Sequence, residues 1–342
     1  MNERAEVGAA DWARLSELRT RFLGGTAGVS NYWTDRRTLE LYDRFFAARI
    51  GWKWDAVLHE LKYRGFRPGG GPLLDWGCGT GIAARCFLRT FPEAGGAVVL
   101  HDRSDAAMRF AEERLGEAAS GAASGIRRAG VLEPGVVEPG TTVLLSHVLS
   151  ELDEGALDGI VDGLLRRAGA FVWVEPGTYA ESRRLIAVRA RLMDTFLVAG
   201  PCPHQEACGL CAERMERHWC HSFSRPPVEA FTDPVWAAFS KQLGIDLRSL
   251  PYAYLAMCRN KPVAGAAPED TGTPARVLGR AREAPAGVSV LSCEAAGVYE
   301  REIRAREAKG LVKMLKKGRT GPFFRWKLRE GRIVGGSVDE ER

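Results

Sequence analysis

The chain has 342 residues, enough for one large α/β domain plus an appended module, and its 45% hydrophobic and 27% charged content is ordinary for a soluble globular protein. No apolar run suggests a membrane span, and the start MNERAEVGAADWARLSELRTRF mixes acids with bases around no apolar centre, which argues against an export signal, although Arg14, Arg19 and Arg21 leave an organelle presequence open. The net charge of +5 is unevenly spread: Arg301 to Arg332 holds twelve Lys or Arg against three acids, a local +9 that leaves −4 elsewhere and suggests a polyanion-facing tail.

Residues 11–65 carry Leu15, Leu18, Phe22, Leu41, Phe45, Phe46, Ile50, Val57, Leu58 and Leu61 at three- and four-residue spacing, so a helical region is expected over 1–65. Its aromatics, Trp33, Tyr42, Trp52 and Trp54, read as core packing. GPLLDWGCGTGIAARCFLRTF then gives a strand, a glycine loop and a helix. AVVLHDRS, TTVLLSHVLSEL and AFVWVEPG follow as strands, with AAMRFAEERL and ALDGIVDGLLRRA as the helices between them. This alternation predicts an α/β fold with a parallel sheet and crossover helices, spanning residues 66–260. After the helix YAESRRLIAVRARLMDTFL comes a cysteine-rich insert, 200–223, and PYAYLAMCRN reads as a late strand of the sheet. A Pro/Gly/Ala/Thr-rich stretch marks a linker over 261–275. Beyond it, 276–342 reads as a small β-rich basic module in which two strands join at Ala295-Ala296-Gly297.

The loop Asp75-Trp76-Gly77-Cys78-Gly79-Thr80-Gly81 allows a tight turn and close approach of a ligand to the backbone. Asp102 ends the next strand, where it can accept hydrogen bonds from ribose hydroxyls. D-x-G-C-G-T-G resembles the first motif of class I AdoMet-dependent methyltransferases, a Rossmann-like fold. That resemblance implies S-adenosyl-L-methionine (AdoMet) as cofactor, with Asp75 near its amino-acid part and Gly77, Gly79 and Gly81 lining the pocket. Cys78 and Cys86 read as small buried residues. The Asn/Asp-Pro-Pro-aromatic motif of base N-methyltransferases is missing; the position reads Ser146-His147-Val148-Leu149-Ser150-Glu151-Leu152. His147 and Glu151 are the candidate general bases, with packing as the alternative.

Eight cysteines without an export signal point to reduced thiols, and four of them form C-x5-C-x2-C-x8-C: Cys202, Cys208, Cys211 and Cys220. Cys293 lies at the end of a later strand. Clustered thiolates suit zinc or an iron-sulfur centre. A zinc site would draw on His204, His218 or His221; irregular spacing with a remote fourth cysteine suits a cubane.

The run SHVLSEL, VEPGT, a basic helix, PCPHxxxC, WCHSFSR and YAYLAMCR resembles the Rsm22 family, methyltransferase-like proteins of the bacterial and mitochondrial small ribosomal subunit, over about Gly71 to Gly321. The resemblance implies a 4Fe-4S cluster on Cys202, Cys208, Cys220 and Cys293. Cys211 lacks a family counterpart and is an alternative ligand, and Cys258 reads as buried and inert. WCHSF carries one serine more than the family's W-C-H-F, a departure that bears on the cluster's geometry. Lys309, Lys313, Lys316, Lys317 and Arg319, followed by Phe323, Phe324 and Trp326, combine phosphate-seeking charge with aromatics suited to stacking on bases, and Arg183, Arg184, Arg189 and Arg191 extend that basic surface. The expected function is an rRNA-binding assembly or maturation factor, monomeric when free, whose partners are small-subunit rRNA and ribosomal proteins. Its compartment would be the bacterial cytoplasm, or the mitochondrial matrix in a eukaryote. The alternative is an active methyltransferase acting on rRNA or a small molecule.

Overall fold

The computed structural model describes residues 6–24, 33, 35–94, 96–118, 125–132, 136–259, 272–318 and 323–338. The chain passes between two compact units, one formed by Met1–His59, Pro68–Val174 and Ser224–Leu250, the other by Glu60–Arg67, Glu175–Phe223 and Pro251–Arg342. Among the described residues no helix is long and apolar enough to cross a membrane.

In the first unit the N-terminal apolar repeats form α1 (Ala9–Leu23), α2 (Arg36–Tyr42) and the start of α3 (Ala48–Tyr63). Asp35 caps α2 by accepting the Thr38 N–H at 2.8 Å, satisfying one of the amides that a helix start leaves open. Leu15, Leu18, Leu41 and Phe45 pack with Phe239 and Leu243. The latter two come from α9 (Pro234–Leu243), which follows the one-turn α8 (Glu229–Thr232).

The sheet of this unit runs β3 (Ile126–Arg128), β2 (Val98–His101), β1 (Leu73–Trp76), β4 (Thr142–Ser146), β5 (Ala170–Pro176), with every pair parallel. Leu73, Leu74, Val98 to Leu100, Val143 to Leu145 and Phe171 to Val174 are buried, the near-continuous apolar strands of a sheet covered on both faces. Helices α4 (Ile82–Thr90), α5 (Asp105–Ala118) and α6 (Glu154–Asp158) alternate with the strands. Strand order reverses between β1 and β4, and in open parallel sheets a ligand crevice forms outside the carboxyl ends of the strands at such a point.

Two expected elements are shorter than their sequence suggests. TTVLLSHVLSEL is a strand only to Ser146; the backbone turns at His147 (φ 56°) and makes a 3-10 turn over Leu149–Glu151. ALDGIVDGLLRRA continues past α6 as wider and tighter turns over Gly159–Leu164 and Leu165–Arg167, where Gly159 and Gly163 weaken regular helix.

The second unit contains α7 (Tyr179–Leu192), β6 (Leu197–Gly200), the cysteine insert, β7 (Ser222–Ser224) and β8 (Leu250–Cys258), with β6 antiparallel to β8. Its other part is a closed barrel of β9 (Thr273–Ala284), β10 (Gly287–Glu294), β11 (Gly297–Arg304), β12 (Phe323–Arg329) and β13 (Arg332–Val338), in the order β10-β11-β13-β12-β9. Helix α10 (Ala305–Lys317) joins β11 to β12, and β11 and β13 pair in parallel. Counted from β9 the closure is 1-2-3-5-4 with a helix between the third and fourth strands, the topology of an OB-type barrel.

Val277, Val288, Val290, Ile303 and Ile333 fill the barrel together with Leu311, Val312 and Leu315 of α10. Phe324 and Trp326 belong to this core, and Phe323 is also buried. The expectation that these three aromatics stack on bases is therefore corrected: closing the barrel spends their surface, and the Trp326 Nε1–H donates to Ser292 Oγ at 3.0 Å. Most of the expected linker, and Arg319, lie outside the described residues, while Thr273 to Ala275 are already β9.

Candidate cofactor and metal sites

The glycine loop leaves β1 at the point where strand order reverses. Gly77, Gly79 and Gly81 have φ of 70°, 51° and 76°, a region that side-chain-bearing residues rarely enter. At Gly77 a Cβ would also lie 2.6 Å from Val148 Cγ1 in the turn after β4, so the two strand ends close on each other.

Much of the loop's donor capacity is spent internally. The Gly77 and Cys78 N–H groups donate to His101 O at 2.8 and 2.9 Å, Gly79 N–H to Asp102 Oδ2 at 2.9 Å, and Gly81 N–H to Cys78 O at 2.7 Å. Such a loop is not an open nest for phosphate, which needs several free amides aimed outward. Asp102 also accepts the Ser104 N–H on its other oxygen at 2.9 Å, and a carboxylate engaged twice keeps lone pairs for a ligand hydroxyl.

Asp75 is fully buried, and one of its oxygens accepts the Ala84 N–H at 3.1 Å. Its Oδ1 and the Thr80 Oγ1 are buried without a hydrogen-bond partner among the described residues. Burial pushes the Asp75 carboxyl up to about 7, against the pull of the Ala84 amide.

Of the two candidate bases, His147 is half-buried, and desolvation followed by the positive charges of Lys53 and Arg49 holds its pKa well below the usual imidazole range. Glu151 instead accepts from Arg103 Nη2 at 2.9 Å.

Three residues near the loop had no functional reading in the sequence. Trp33 is buried, and its Cζ2 would lie 3.9 Å from a Cβ at Gly79; its ring also packs edge-on to Tyr42 at 4.8 Å. Lys53 Nζ lies 3.4 Å from His147 Nε2, and Arg49 is one helical turn before it. The signal was available: Lys53 interrupts an apolar stripe in which Ile50, Trp54, Val57, Leu58 and Leu61 are buried.

In the second unit the insert has little regular structure, and side chains organise it. The Arg183 guanidinium donates to the carbonyls of Leu210, Met215 and Glu216 at 2.8 Å and of His218 at 2.7 Å. Arg189, 3% exposed, donates to Glu206 O at 2.6 Å. The Gln205 amide mimics a strand partner for Val198, accepting from its N–H at 2.8 Å and donating to its carbonyl at 2.9 Å. The expectation that Arg183 and Arg189 extend an RNA surface is thus corrected; both hold the insert backbone.

This scaffold brings Cys202, Cys208, Cys220 and Cys293 to the wall of one cavity, which Arg189, Arg276, Ile186, Leu210 and Leu278 also line. None of the eight cysteines forms a disulfide, Cys211 is exposed and absent from that wall, and Cys258 is buried elsewhere. Burial pushes the thiols of Cys208 and Cys220 up to about 11 and about 12, and that of Cys293 higher, with neighbouring thiolates adding to it. Four thiols gathered on one cavity wall, Cys202 and Cys293 buried and Cys208 and Cys220 half-buried, form a soft donor set suited to a cationic centre.

Among the described residues no three His, Cys, Asp or Glu side chains converge as they would around a single ion. The His221 ring stacks on Trp219 at 4.7 Å, and His204 Nε2 lies 3.5 Å from Cys293 Sγ.

The insert lies against the outer face of the barrel. Leu210 and Met215 pack with Leu278, Leu291 and Val298, and a Cβ on Gly209 would meet Val298 N at 2.7 Å and Gly297 Cα at 2.8 Å. OB-type barrels commonly take oligonucleotides on the second and third strands, here β10 and β11. Of the four expected lysines, Lys309, Lys313, Lys316 and Lys317 are all exposed on α10, with Lys316 Nζ 3.1 Å from Glu283 Oε1.

Similar solved structures are methyltransferases at low identity. Magnesium protoporphyrin IX methyltransferase from Synechocystis PCC 6803, with bound SAM, is 13% identical with a TM-score of 0.38, covering 75% of this chain and 100% of that one. Ribosomal protein L11 methylase from Lactobacillus delbrueckii subsp. bulgaricus is 14% identical at 0.33, covering 60% and 78%. Precorrin-6y C5,15-methyltransferase from Geobacter metallireducens GS-15 is 11% identical at 0.34, covering 60% and 87%. No curated protein matches the chain. The family model described as mitochondrial small ribosomal subunit Rsm22 matches residues 46–325, most of the chain, and by that match the protein belongs to the Rsm22 family.

Proposed function

We propose that this protein is an rRNA-binding assembly or maturation factor of the small ribosomal subunit that holds AdoMet at its glycine loop and a structural 4Fe-4S cluster in its second unit. The observation that carries the reading is the cavity on which Cys202, Cys208, Cys220 and Cys293 meet while Cys211 stays outside. A cluster of several metal atoms holds its thiolates wider apart than one ion does, which suits four thiols around a cavity better than a convergent site. Bound there, the cluster supplies a cross-link between the insert and β10, so that its binding energy becomes folding energy for the barrel side of the unit.

AdoMet suits a loop whose amides are largely engaged, because it carries no phosphate. The orphaned Asp75 Oδ1 and Thr80 Oγ1 supply polar groups for its amino-acid half. For RNA, the insert covers part of the β10–β11 face, and the strand beyond offers Glu300 and Glu302, so the exposed lysines of α10 are the favoured contact. Methyl transfer is a second reading, favoured by the position of His147, whose backbone (φ 56°) turns at the end of β4 next to Val148, the residue that meets the glycine loop at Gly77.

The test is anaerobic purification with iron and sulfide analysis, followed by binding to small-subunit rRNA across a salt series. About four irons per chain are expected given four cysteine ligands. Cys202→Ser and Cys293→Ser should lose iron and bind rRNA more weakly, with Cys211→Ser unchanged. Stoichiometric zinc, or undiminished rRNA binding by the iron-free variants, sinks the cluster reading.

A further inference from the structure

Helix α7 turns one face to the thiol cavity. Ser182, Leu185, Ile186 and Arg189 follow one another at helical spacing, are buried, and all line that wall. Ser182 holds the backbone of a candidate ligand: its Oγ donates to Cys220 O at 2.8 Å and accepts the Cys220 N–H at 2.9 Å. Leu185 and Ile186 supply apolar surface. Arg189 brings a permanent positive charge to the same wall.

Two arginines stand there, and they are answered differently. Arg276 is paired with Glu60 through hydrogen bonds of 2.9 and 3.1 Å. Among the described residues Arg189 has one hydrogen bond, from Nη2 to the Glu206 carbonyl at 2.6 Å, and no carboxylate pairs with it. Its Nε is buried without a partner among the described residues. A carbonyl dipole does not cancel a full charge. Leaving a buried guanidinium unanswered is strongly unfavourable, so such a group persists where a negative one meets it. Neutral thiols cannot be that group. The charge does reach them: burial is what chiefly raises the Cys208 thiol, and Arg189 acts against that rise.

Four thiolates carry more negative charge than the iron-sulfur core they hold is positive, so a bound cluster leaves a net negative charge on this wall. Resting on the cluster reading above, we infer that Arg189 is the counter-ion of the thiolate-held centre, a positioning and charge-matching residue outside the ligand set. Its attraction acts in buried surroundings, where a charge is weakly screened, and favours the sulfurs bound as thiolates over the same sulfurs as free thiols.

Arg189→Gln removes the charge and keeps an N–H donor, whereas Arg189→Lys keeps the charge. The full chain, purified anaerobically, is challenged with the iron chelator bathophenanthroline disulfonate, and iron release is followed by absorbance. Arg189→Gln should release iron about 10- to 100-fold faster than the unaltered chain, the scale on which outer partners of a metal site act, and Arg189→Lys within about threefold of it. Glutamine is also shorter, so the reduction potential separates charge from reach. After reconstitution with iron and sulfide and titration with europium(II), the Arg189→Gln cluster should be about tenfold harder to reduce, about 59 mV lower for one electron, because the added electron no longer meets a cation. Should europium(II) reduce none of the three proteins, the release rates decide. Equal release from the two variants, or an unchanged potential in Arg189→Gln, overturns the inference; an Arg189→Gln chain that takes up no cluster beside an Arg189→Lys chain that does supports it. An unaltered chain that purifies without iron overturns the cluster reading itself.

Discussion

Glu60→Gln removes one charge of an ion pair enclosed within the second unit. Arg276 on β9 is 1% exposed and Glu60 on α3 is 8% exposed. Arg276 Nη1 donates to Glu60 Oε1 and Oε2 at 2.9 and 3.1 Å and Nη2 donates to Ser222 Oγ at 2.7 Å, while the Tyr254 hydroxyl donates to Glu60 Oε1. Taking away one partner leaves the other charge buried and unanswered, which costs about 3–5 kcal/mol. Glutamine keeps the volume and one carbonyl acceptor, so the lower end, about 3 kcal/mol, is expected. Urea unfolding followed by circular dichroism is the assay, read as two transitions because two units need not unfold together. The transition of the second unit should move and the other should not. Arg276→Met alone should cost a similar amount, and the double variant less than the sum, since no lone charge remains. A loss below about 1 kcal/mol for Glu60→Gln, the scale of an exposed pair, would refute the claim that this network is desolvated.

Ligand binding should depend on pH through Asp75, whose folded pKa of about 7 lies above its unfolded value. The native state holds the proton more tightly, so this group's contribution to stability is full below about pH 4, falls by on the order of 1 kcal/mol per unit up to about 7 and is level above it. A positively charged ligand prefers the ionised form, so AdoMet should bind more tightly at pH 8 than at pH 6, and Asp75→Asn should flatten that profile in equilibrium titrations. Gly209→Ala would drive a methyl into the backbone at Val298, an overpacking cost of about 1–3 kcal/mol. Thermal melts should show the loss, and iron retained per chain should fall with it. On α10, Lys309→Ala and Lys313→Ala should each reduce the slope of log affinity against log salt for rRNA by about 1, with little change in sequence preference.

The sequence carried the cofactor half of this protein almost by itself. Strand-forming apolar runs alternating with helices, and three glycines after an acid, are local signals, and the parallel sheet with its loop at the reversal of strand order follows from them. The lysines of α10 were legible as a run of charge, although the helix that carries them falls in a stretch that reads as β-rich. Which aromatics are core was less legible, because Phe323, Phe324 and Trp326 sit among cations in sequence and only closure of the barrel buries them.

The tertiary structure alone decided the fates of the buried charges. Arg183 and Arg189 read as basic surface until the insert folds back on α7 and offers its carbonyls, and Lys53 reads as a helix cation until α3 turns it to His147. Spacing in sequence could nominate Cys211 beside its neighbours, but a wall is a three-dimensional property: Cys293 enters it from 73 residues beyond Cys220, and Cys211 faces out. Local pattern fixes secondary structure because the forces behind it act over a few residues. Desolvation and charge pairing act between whichever groups the fold brings together, so the residues that answer a buried charge are known only once the chain has closed around them.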